Sequence, residues 1–294
     1  MRVIESDSSL RGAVVIAAHN ESAVIARCLD ALEPLTKGGI AHVVVVANGC
    51  TDNTVGIASN RIGVTVLDLA VASKVAALRA GDRVAADGPR IYLDADVVLT
   101  APAALAIFDA LAPASDTAGG PLAGRPPIRF ESSRASLAVR LWYRIRGQLP
   151  SIQKRLWGAG TYALSVRGRA RFDEFPDIVS DDLFIDTLFT TNESIIVDTD
   201  PVTVYTPLTT ADLMSILVRT YRTQREVEQQ TVSGPISSAQ RGQLRDIVTL
   251  LRRRPWLAPA AVIYVTVISR ARLRARSVPA SSAWERDNSS RENR

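Results

Sequence analysis

Two aspartates, Asp94 and Asp96, are separated by one alanine directly after an apolar run at residues 90–93. Carboxylate oxygens are preferred ligands of Mg²⁺ and Mn²⁺, which proteins often hold through one or two carboxylates plus substrate phosphates. Such an ion neutralises charge on a departing diphosphate. The spacing therefore predicts a metal and diphosphate site at Asp94 and Asp96, with Ala95 between them. The alternative interpretation is an exposed turn with two surface carboxylates.

Two further polar clusters follow apolar runs at residues 14–18 and 43–47. Asparagine and aspartate side chains can hydrogen-bond both the edge of a nucleobase and ribose hydroxyls. The candidates for nucleotide contacts are Ala18, Asn20, Glu21, Asn48 and Asp52. The alternative for the second cluster is ordinary turn and helix-cap chemistry, which favours the same residue types.

Five more candidates lie outside these clusters. Lys74 is one of three lysines in the chain and precedes a predicted helix, where it would meet a phosphate group. Asp181 and Asp182 come before an apolar helical run, and a carboxylate can take the proton of an attacking hydroxyl. Arg222 and Arg225 lie on a later helix and would clamp diphosphate oxygens. A helix cap for the aspartates and a solvated basic face for the arginines are the alternatives.

The elements that must position these groups alternate between strand and helix over residues 14–111. Four β-rich apolar runs at 14–18, 43–47, 64–69 and 90–93 are each followed by a helical pattern. This alternation predicts an α/β fold with a mostly parallel sheet flanked by helices. Ligands of such sheets bind beyond the carboxyl ends of the strands, where the three polar clusters fall.

After residue 125 the pattern changes, and the elements are less regular. The sequence predicts a possible strand at 117–122, a helix at 132–149, an extended segment at 157–164 and a strand pair or broken strand at 194–205. Long helical patterns follow at 211–230 and 240–276. We therefore expect boundaries near residues 125, 232 and 276, with two halves at 1–125 and 126–232, a helical appendage at 233–276 and a disordered tail at 277–294.

The net charge of +5 is concentrated near the C-terminus. Residues 241–294 contain twelve arginines and four acids, so this segment carries +8 and the preceding residues about −3. That balance argues against a nucleic-acid-binding main domain. A basic segment beside an apolar run favours contact with a membrane surface through residues 241–276, and a solvated basic helix is the alternative.

The cysteines and the apolar runs exclude several other classes. Cys28 and Cys50 form no CxxC motif, which leaves no zinc site or disulfide framework to predict. The polar opening at residues 1–11 does not match a secretory signal. The longest uncharged stretch, residues 255–268, is shorter than the roughly 18–20 residues that span a bilayer. We expect a cytoplasmic protein, peripheral to a membrane if residues 241–276 contact one.

In this order, the motifs resemble those of family 2 glycosyltransferases with the GT-A fold. The segments that carry the resemblance are residues 15–21 (VIAAHNE), 47–54 (ANGCTDNT), 74–81 (KVAALRAG), 94–96 (DAD), 157–161 (WGAGT) and 180–182 (SDD). The match covers roughly residues 12–230. His19 stands where the family usually has tyrosine, Arg79 replaces an asparagine, and Asp181 replaces a glutamate.

The resemblance implies an inverting transfer from a UDP- or GDP-linked sugar, with UDP favoured, assisted by Mg²⁺ or Mn²⁺ and with Asp182 as the base. It also implies that residues 1–125 are the nucleotide-sugar-binding half and residues 126–232 the acceptor-binding half. The Gln-x-x-Arg-Trp motif of processive members is absent, and residues 222–225 (RTQR) echo it only loosely. This departure favours the addition of single sugars. The acceptor is left open between a lipid-linked molecule, a glycan and a small molecule.

Two other functions use similar features. A nucleotidyltransferase would carry a glycine-rich basic loop after the first strand, whereas residues 18–21 (AHNE) contain no glycine. A sugar-nucleotide-binding protein without catalysis is the other alternative, and the presence of every expected carboxylate argues against it.

Overall fold

The computed structural model describes residues 10–112, 120–177, 180–230 and 237–277, without the side chains of residues 225–230 and 237–241. The chain divides into two compact units. Unit 1 contains residues 1–127, 156–177 and 188–202, and unit 2 contains residues 128–155, 178–187 and 203–294. The chain therefore enters each unit several times, and the predicted functional halves and appendage stay predictions.

Nine strands and eleven α-helices are present in the described residues. The strands are β1 (Ala13–Ala18), β2 (His42–Asn48), β3 (Val64–Leu69), β4 (Arg90–Asp94), β5 (Ala123–Arg125), β6 (Ile128–Glu131), β7 (Thr161–Leu164), β8 (Ser194–Ile196) and β9 (Val202–Tyr205). The helices are α1 (Ile25–Lys37), α2 (Thr54–Ser59), α3 (Lys74–Val84), α4 (Ala101–Ala110), α5 (Leu137–Arg146), α6 (Pro150–Gln153), α7 (Val166–Arg169), α8 (Asp181–Leu188), α9 (Thr210–Gln230), α10 (Ser237–Arg253) and α11 (Ala258–Ser277).

Unit 1 is built on a seven-stranded sheet with the order β3-β2-β1-β4-β7-β5-β8. The pairs among β1 to β4 and the pair β5–β8 are parallel, while β7 runs antiparallel to β4 and β5. The strand–helix alternation predicted for residues 14–111 is confirmed. Because β1 and β2 lie inside the sheet, their valines are buried throughout, whereas Val64 and Val66 of the edge strand β3 are only partly buried.

The register of the central strands brings their carboxyl ends together. Ala18 of β1 pairs with Ala47 of β2, and Ala17 pairs with Asp94 of β4. The polar residues that follow these three strands therefore begin at the same edge of the sheet. This edge is where an open parallel sheet binds its ligands.

A buried ionic network fixes the far side of β4. Asp82 of α3 accepts hydrogen bonds from Arg90 Nη1 at 2.8 Å, Tyr92 Oη at 2.7 Å and Arg169 Nε at 2.8 Å. Burial raises the pKa of Tyr92, and the adjacent Asp82 raises it further. Two arginines balance the one buried carboxylate and satisfy its oxygens, as a stable buried ion pair requires. The network connects α7 with α3 and β4.

Unit 2 is mainly helical, and its core lies between α5, α9 and α11. The buried residues of this core include Val139, Trp142, Leu213, Leu217, Tyr264, Ile268 and Ala271. Trp142 of α5 stacks on Tyr264 of α11 with 5.2 Å between ring centroids. Strands β6 and β9 form a separate two-stranded sheet.

The structure corrects three predicted elements. The helix predicted at 132–149 covers only α5, because Gly147 ends it and Pro150 starts the short helix α6. The extended segment predicted at 157–164 is a strand only from Thr161, because Gly158 and Gly160 adopt positive φ angles of 81° and 65°. The segment 240–276 is two helices, separated by a 3₁₀ turn at Pro255–Leu257.

Two predicted segments fall partly or wholly outside the described residues. The strand predicted at 117–122 overlaps residues 113–119, and the described strand nearby is β5 at Ala123–Arg125. The tail predicted to be disordered, residues 277–294, lies outside them from residue 278 onward.

One helical stretch in the described residues, Pro255–Ser277, is long and apolar enough to cross a membrane by length and composition. A core helix of a soluble protein passes the same test, and 39% of the most apolar window is buried here. The face of α11 that contains Tyr264 and Ala271 packs into the core of unit 2. Length alone therefore does not assign this helix to a membrane.

Candidate functional site

The turn after β4 presents Asp94 and Asp96 at the carboxyl edge of the sheet. Both carboxylates are partly exposed, whereas Ala95 between them is buried. The Asp94 N–H donates to the Gly160 carbonyl at 2.8 Å, and the Val97 N–H donates to the Asp94 carbonyl at 3.1 Å. These bonds hold the backbone of the turn, so the two side chains are presented on a fixed frame.

Gly160 is required for this arrangement. Its φ of +65° is in the left-handed region, which other residues rarely adopt. A Cβ atom at this position would lie 2.5 Å from Val97 Cγ2 and 3.3 Å from Asp94 Oδ2. The glycine therefore gives the β7 loop its close approach to the Asp94 carboxylate.

Lys74, the first residue of α3, contacts the same carboxylate. Its Nζ donates to Asp94 Oδ1 at 2.7 Å, and the two side chains remain 28% and 41% exposed. Ser73 caps the helix by accepting from the Ala76 N–H at 3.2 Å, which fixes where α3 starts. The structure thus brings the predicted Lys74 and Asp94 together, and both stay accessible to a ligand.

The loop after β1 is held to the loop after β2 by Asn20. Its φ of 52° is positive, an uncommon conformation that asparagine tolerates better than most residues. Asn20 Oδ1 accepts from the Thr51 N–H at 2.6 Å and from the Asp52 N–H at 3.3 Å. This side-chain oxygen already accepts hydrogen bonds from the backbone, as the turn interpretation requires.

Asp52 is also bonded internally. Its carboxylate accepts from the Ser22 N–H at 3.0 Å, from the Thr54 N–H at 3.0 Å and from the Thr54 hydroxyl at 2.5 Å. Burial alone would raise the pKa of Asp52, but the hydrogen bonds from Thr54 and Ser22 lower the pKa to about 2. Asp52 is therefore ionised over the whole physiological range and connects the β1 and β2 loops.

Asn48, the last residue of β2, has one side-chain atom bonded and one without a partner. Its Nδ2 donates to the Ala18 carbonyl at 2.9 Å, whereas its Oδ1 is buried and has no hydrogen-bond partner. A buried acceptor without a donor is unfavourable by roughly 1–3 kcal/mol. Asn48 Oδ1 is thus an observed acceptor to which a ligand N–H or O–H could donate.

Backbone groups from the other predicted residues complete this edge. The Glu21 N–H donates to Thr54 Oγ1 at 2.7 Å, and the Glu21 carbonyl accepts the first two amides of the helical turn. The Ala18 carbonyl accepts from Asn48 and, at 3.5 Å, from Cys50 Sγ. The Ala18 carbonyl and the Glu21 backbone are therefore used to join the loops.

Among the described residues, no three His, Cys, Asp or Glu side chains form a cluster that could hold a metal ion alone. Asp94 and Asp96 supply two hard oxygen donors, which suits a Mg²⁺ or Mn²⁺ ion whose other ligands come from substrate phosphates and water. The partial exposure of both carboxylates is consistent with that use. The residues present therefore fit a metal shared with a diphosphate, and they do not fit a metal held by protein alone.

Cys28 of α1 is near this pair. Burial raises the pKa of the Cys28 thiol, and the negative charges of Asp96 and Asp94 raise it further. Such a thiol stays protonated and unreactive, so it acts as a small apolar group. Both cysteines are free, as the sequence predicts.

The predicted base and its neighbour are in unit 2 at the start of α8. Asp181 is buried, and Asp182 is partly exposed. Asp182 Oδ1 accepts from the Ser180 hydroxyl at 2.6 Å and from the Leu183 N–H at 2.8 Å. These bonds orient the Asp182 carboxylate and also satisfy one free amide of the helix start, so positioning and capping occur together.

The two predicted arginines lie on α9. Arg222 is partly buried, and its Nε has no hydrogen-bond partner. The backbone of Arg225 is helical, while its side chain lies outside the described residues. A role in binding diphosphate stays a prediction for both.

Sequence reasoning missed three residues that shape this edge. Thr54 is fully buried and bonds both Glu21 and Asp52, and His19 Nδ1 lies 2.5 Å from the Asn48 carbonyl oxygen. The third is Gly160, which lies within a motif that the sequence analysis identified without assigning it a role. The signals available were a glycine next to a strand for Gly160 and the Asp-x-Thr spacing of Asp52 and Thr54.

Comparison with known proteins gives a family match over this region. A family model described as glycosyl transferase family 2 matches residues 13–163, which is slightly more than half of the chain. This span includes every predicted site residue of the sheet edge. A search of curated proteins found no match.

Three solved structures illustrate the structural similarity. The mannosyltransferase PcManGT from Pyrobaculum calidifontis, in complex with GDP-Man and Mn²⁺, has a TM-score of 0.54 and 18% identity, covering 88% of this chain and 75% of that one. Glucosyl-3-phosphoglycerate synthase from Mycobacterium tuberculosis has a TM-score of 0.43 and 22% identity, covering 67% and 68%. Residues 1–349 of S. aureus TarS have a TM-score of 0.47 and 13% identity, covering 90% and 91%. The first comparison supports the predicted fold.

Proposed function

This chain belongs to glycosyl transferase family 2, and we propose that it transfers one sugar from a nucleotide-sugar donor to an acceptor hydroxyl with inversion at the anomeric carbon. Its enzyme class is glycosyltransferase. The observation that carries the proposal is the group formed by Lys74, Asp94 and Asp96 at the carboxyl edge of the sheet. In this family member, that group combines a cation with two accessible carboxylates where a diphosphate would bind.

The donor diphosphate is held at the turn after β4. Asp94 and Asp96 are the residues that would hold Mg²⁺ or Mn²⁺, which when bound supplies positive charge to the diphosphate leaving group. Lys74 adds a second positive charge beside Asp94. The structurally similar mannosyltransferase was solved with GDP-Man and Mn²⁺, which supports a nucleotide-sugar donor and a divalent metal for this chain as well.

The nucleoside is proposed to bind beyond β1 and β2. Asn48 Oδ1 supports this placement because it is a buried acceptor without a donor. An imide or amide N–H of a pyrimidine or purine base would satisfy it. Uracil and guanine both offer such a group, so both UDP and GDP stay open, with UDP favoured. Asn20 and Asp52 shape the loops, and any contact they make with the nucleotide is additional.

The chemical step is a single displacement. The acceptor oxygen attacks the anomeric carbon of the sugar, and the bond from that carbon to the diphosphate oxygen breaks. The hydroxyl proton passes to the carboxylate of Asp182, whose orientation is set by Ser180 and Leu183. Because attack and departure occur on opposite sides, the anomeric configuration inverts. Arg222 and Arg225 are proposed to contact the released diphosphate.

The acceptor and the cellular location are also proposals. The acceptor class is a lipid-linked molecule, a glycan or a small molecule, without a role for nucleic acid. The arginines of residues 241–276 favour a cytoplasmic enzyme at the inner face of a membrane, where acceptors of the first two kinds occur.

The experiment that tests the donor site is a binding titration of UDP, GDP and their sugar conjugates, with and without Mn²⁺. Wild type is compared with Asp96→Ala and with Asp87→Ala, an exposed aspartate before β4 at the opposite edge of the sheet. We expect one nucleotide to bind only with metal, to be lost in Asp96→Ala and retained in Asp87→Ala. Absence of nucleotide binding in the wild type under both conditions would reject the proposal.

A further inference from the structure

Helix α11 has large apolar side chains on two opposite faces. Its inner face, which contains Ala260, Tyr264, Val267, Ile268 and Ala271, is buried in the core of unit 2. A helix that serves only a soluble core normally has a polar opposite face. The opposite face of α11 exposes large apolar side chains to solvent, and packing in the core of unit 2 does not explain them.

The outer face of α11 carries the exposed polar residues Ser269 and Arg276 together with the large apolar side chains of Val262, Val265 and Leu273. The three apolar side chains are 65%, 40% and 63% exposed. With 3.6 residues per turn, their positions fall within an arc of about 80° on the helix surface. Trp256, in the 3₁₀ turn that precedes the helix, is 67% exposed. Four large apolar side chains on one short segment are more than isolated surface residues account for.

The charges around this face have one sign. Residues 247–277 contain seven arginines and no acid. Six of these arginines are exposed, namely Arg252, Arg253 and Arg254 before Trp256, and Arg270, Arg274 and Arg276 in the last turns of α11. The seventh, Arg272, lies over the Tyr221 ring of α9 at 5.1 Å. The exposed apolar residues are thus flanked at both ends by positive charge.

We propose that the outer face of α11, together with Trp256 and the six exposed arginines, docks on a membrane surface that contains anionic lipids. Tryptophan and aliphatic side chains enter the headgroup boundary, while arginines pair with lipid phosphates. The helix lies in the plane of the membrane, because its inner face is already committed to the core of unit 2.

The charge pattern selects this occupant over two others. A second copy of the chain docking through the same face would bring two copies of this arginine-rich segment together, and the segment itself contains no acid to pair with them. A nucleic acid would pair with the arginines but would leave Val262, Val265 and Leu273 without an apolar partner. An anionic bilayer offers negative phosphates and apolar chains together, so it matches both features of the surface.

The proposed docking rests on the proposed transferase function and bears on the class of acceptor. A transferase held at the surface would meet acceptors whose hydroxyl is close to the headgroups. The surface therefore favours a lipid-linked acceptor over a freely diffusing small molecule.

The experiment is co-sedimentation of the full chain with vesicles of phosphatidylcholine alone or with 30% phosphatidylglycerol, about 0.1 M NaCl being present. We compare wild type with Val262→Asp and, as a matched control, with Ile62→Asp, because Ile62 is 73% exposed and belongs to unit 1. Wild type and Ile62→Asp should bind anionic vesicles at least about tenfold more tightly than neutral ones. Val262→Asp should lose at least about tenfold of that binding.

Three outcomes would overturn the proposal: wild type that stays in solution with anionic vesicles, equal binding by Val262→Asp and wild type, or a dimer in solution that Val262→Asp dissociates. Nucleotide binding is measured on the same samples without vesicles. Loss of vesicle binding with nucleotide binding intact rejects only the docking surface, whereas absence of nucleotide binding with vesicle binding intact rejects only the proposed reaction.

Discussion

The loops after β1 and β2 and the turn after β4 lie at the same edge of one sheet and contain similar polar residues, yet they use them differently. In the first region, the side-chain oxygens of Asn20 and Asp52 accept hydrogen bonds from nearby backbone amides. In the second, Asp94 and Asp96 stay partly exposed, and Asp94 pairs with the flexible Lys74 side chain. The same residue types therefore hold the loops together after β1 and β2, and stay available to a ligand after β4.

The difference indicates which substitutions should affect binding and catalysis and which should affect stability. Groups bonded to fixed backbone amides cannot turn to a ligand without losing those bonds. Groups paired with another side chain can exchange that partner for a ligand at low cost. We therefore expect the β4 turn to control activity and the β1 and β2 loops to control the stability of the edge.

The largest effect is expected for Asp96→Asn. Removing one carboxylate from the pair weakens the hold on the metal that neutralises the leaving diphosphate, so transfer should fall by at least about 1000-fold. The melting temperature should stay within about 2 °C of wild type, because Asp96 is partly exposed. Initial rates of transfer and thermal denaturation check both parts. A stable variant with more than a tenth of wild-type activity would exclude Asp96 as a metal ligand.

Asp182 tests this comparison directly. Like Asp52, it accepts a hydrogen bond from a backbone amide, yet it is proposed to take part in the reaction. If it is the base, Asp182→Asn should lower the turnover rate by about 100- to 10,000-fold. If it is only a cap, the variant should keep its turnover rate and its stability, because asparagine caps a helix about as well as aspartate. Turnover rates and thermal denaturation, with Asp173→Asn as an exposed control, separate the two results.

Asp52→Asn is expected to reduce stability more than activity. The folded pKa of about 2 is below the unfolded value of 3.8, so ionised Asp52 stabilises the fold above about pH 4, and this contribution is lost as the pH falls toward 2. After allowance for solvent screening, the variant should lose about 1–2 kcal/mol at pH 7. Urea unfolding of both proteins at pH 7 and pH 3 checks this, since the difference should shrink at the lower pH. An equal difference at both values would contradict it.

The smallest effect is a difference between two substitutions of Asn20. Both Asn20→Gly and Asn20→Ala remove the hydrogen bonds to Thr51 and Asp52, but only glycine accepts the φ of 52° without strain. Asn20→Ala should therefore be less stable than Asn20→Gly by about 1 kcal/mol. Thermal denaturation measures the difference. A loss of nucleotide affinity in Asn20→Gly beyond tenfold would show that Asn20 also contacts the donor.

Much of the frame follows from the sequence because its signals are local. The valine-rich runs that become β1 and β2 and the helical patterns after them predict parallel strands, and parallel strands place their carboxyl ends together. Asp94 could be assigned to the sheet edge on this basis. The position of Lys74 near this edge follows from the same argument, but its ion pair with Asp94 was not predicted, because the sequence assigned Lys74 to a phosphate.

The use of each polar side chain could not be predicted. Asparagine and aspartate suit turns, caps and ligands equally, and the choice depends on distances of a few tenths of an ångström between loops. The bonds from Ser22 and Thr51 to residues about 30 positions away in the chain are of this kind. The start of β7 was missed because Gly158 and Gly160 adopt positive φ angles, which a hydrophobic pattern does not report. The end of α5 was missed because the apolar pattern continues past Gly147, where the helix stops.

The stacking of Trp142 on Tyr264 has a consequence for how the protein is made. The two rings come from helices α5 and α11, which are more than 100 residues apart in the chain. At about 5–20 residues per second, a ribosome releases α11 roughly 5–25 s after α5. During that interval Trp142 and the apolar face of α5 have no partner from α11. Synthesis of unit 2 should therefore depend on a chaperone that covers α5, more than synthesis of the strand–helix repeats of unit 1.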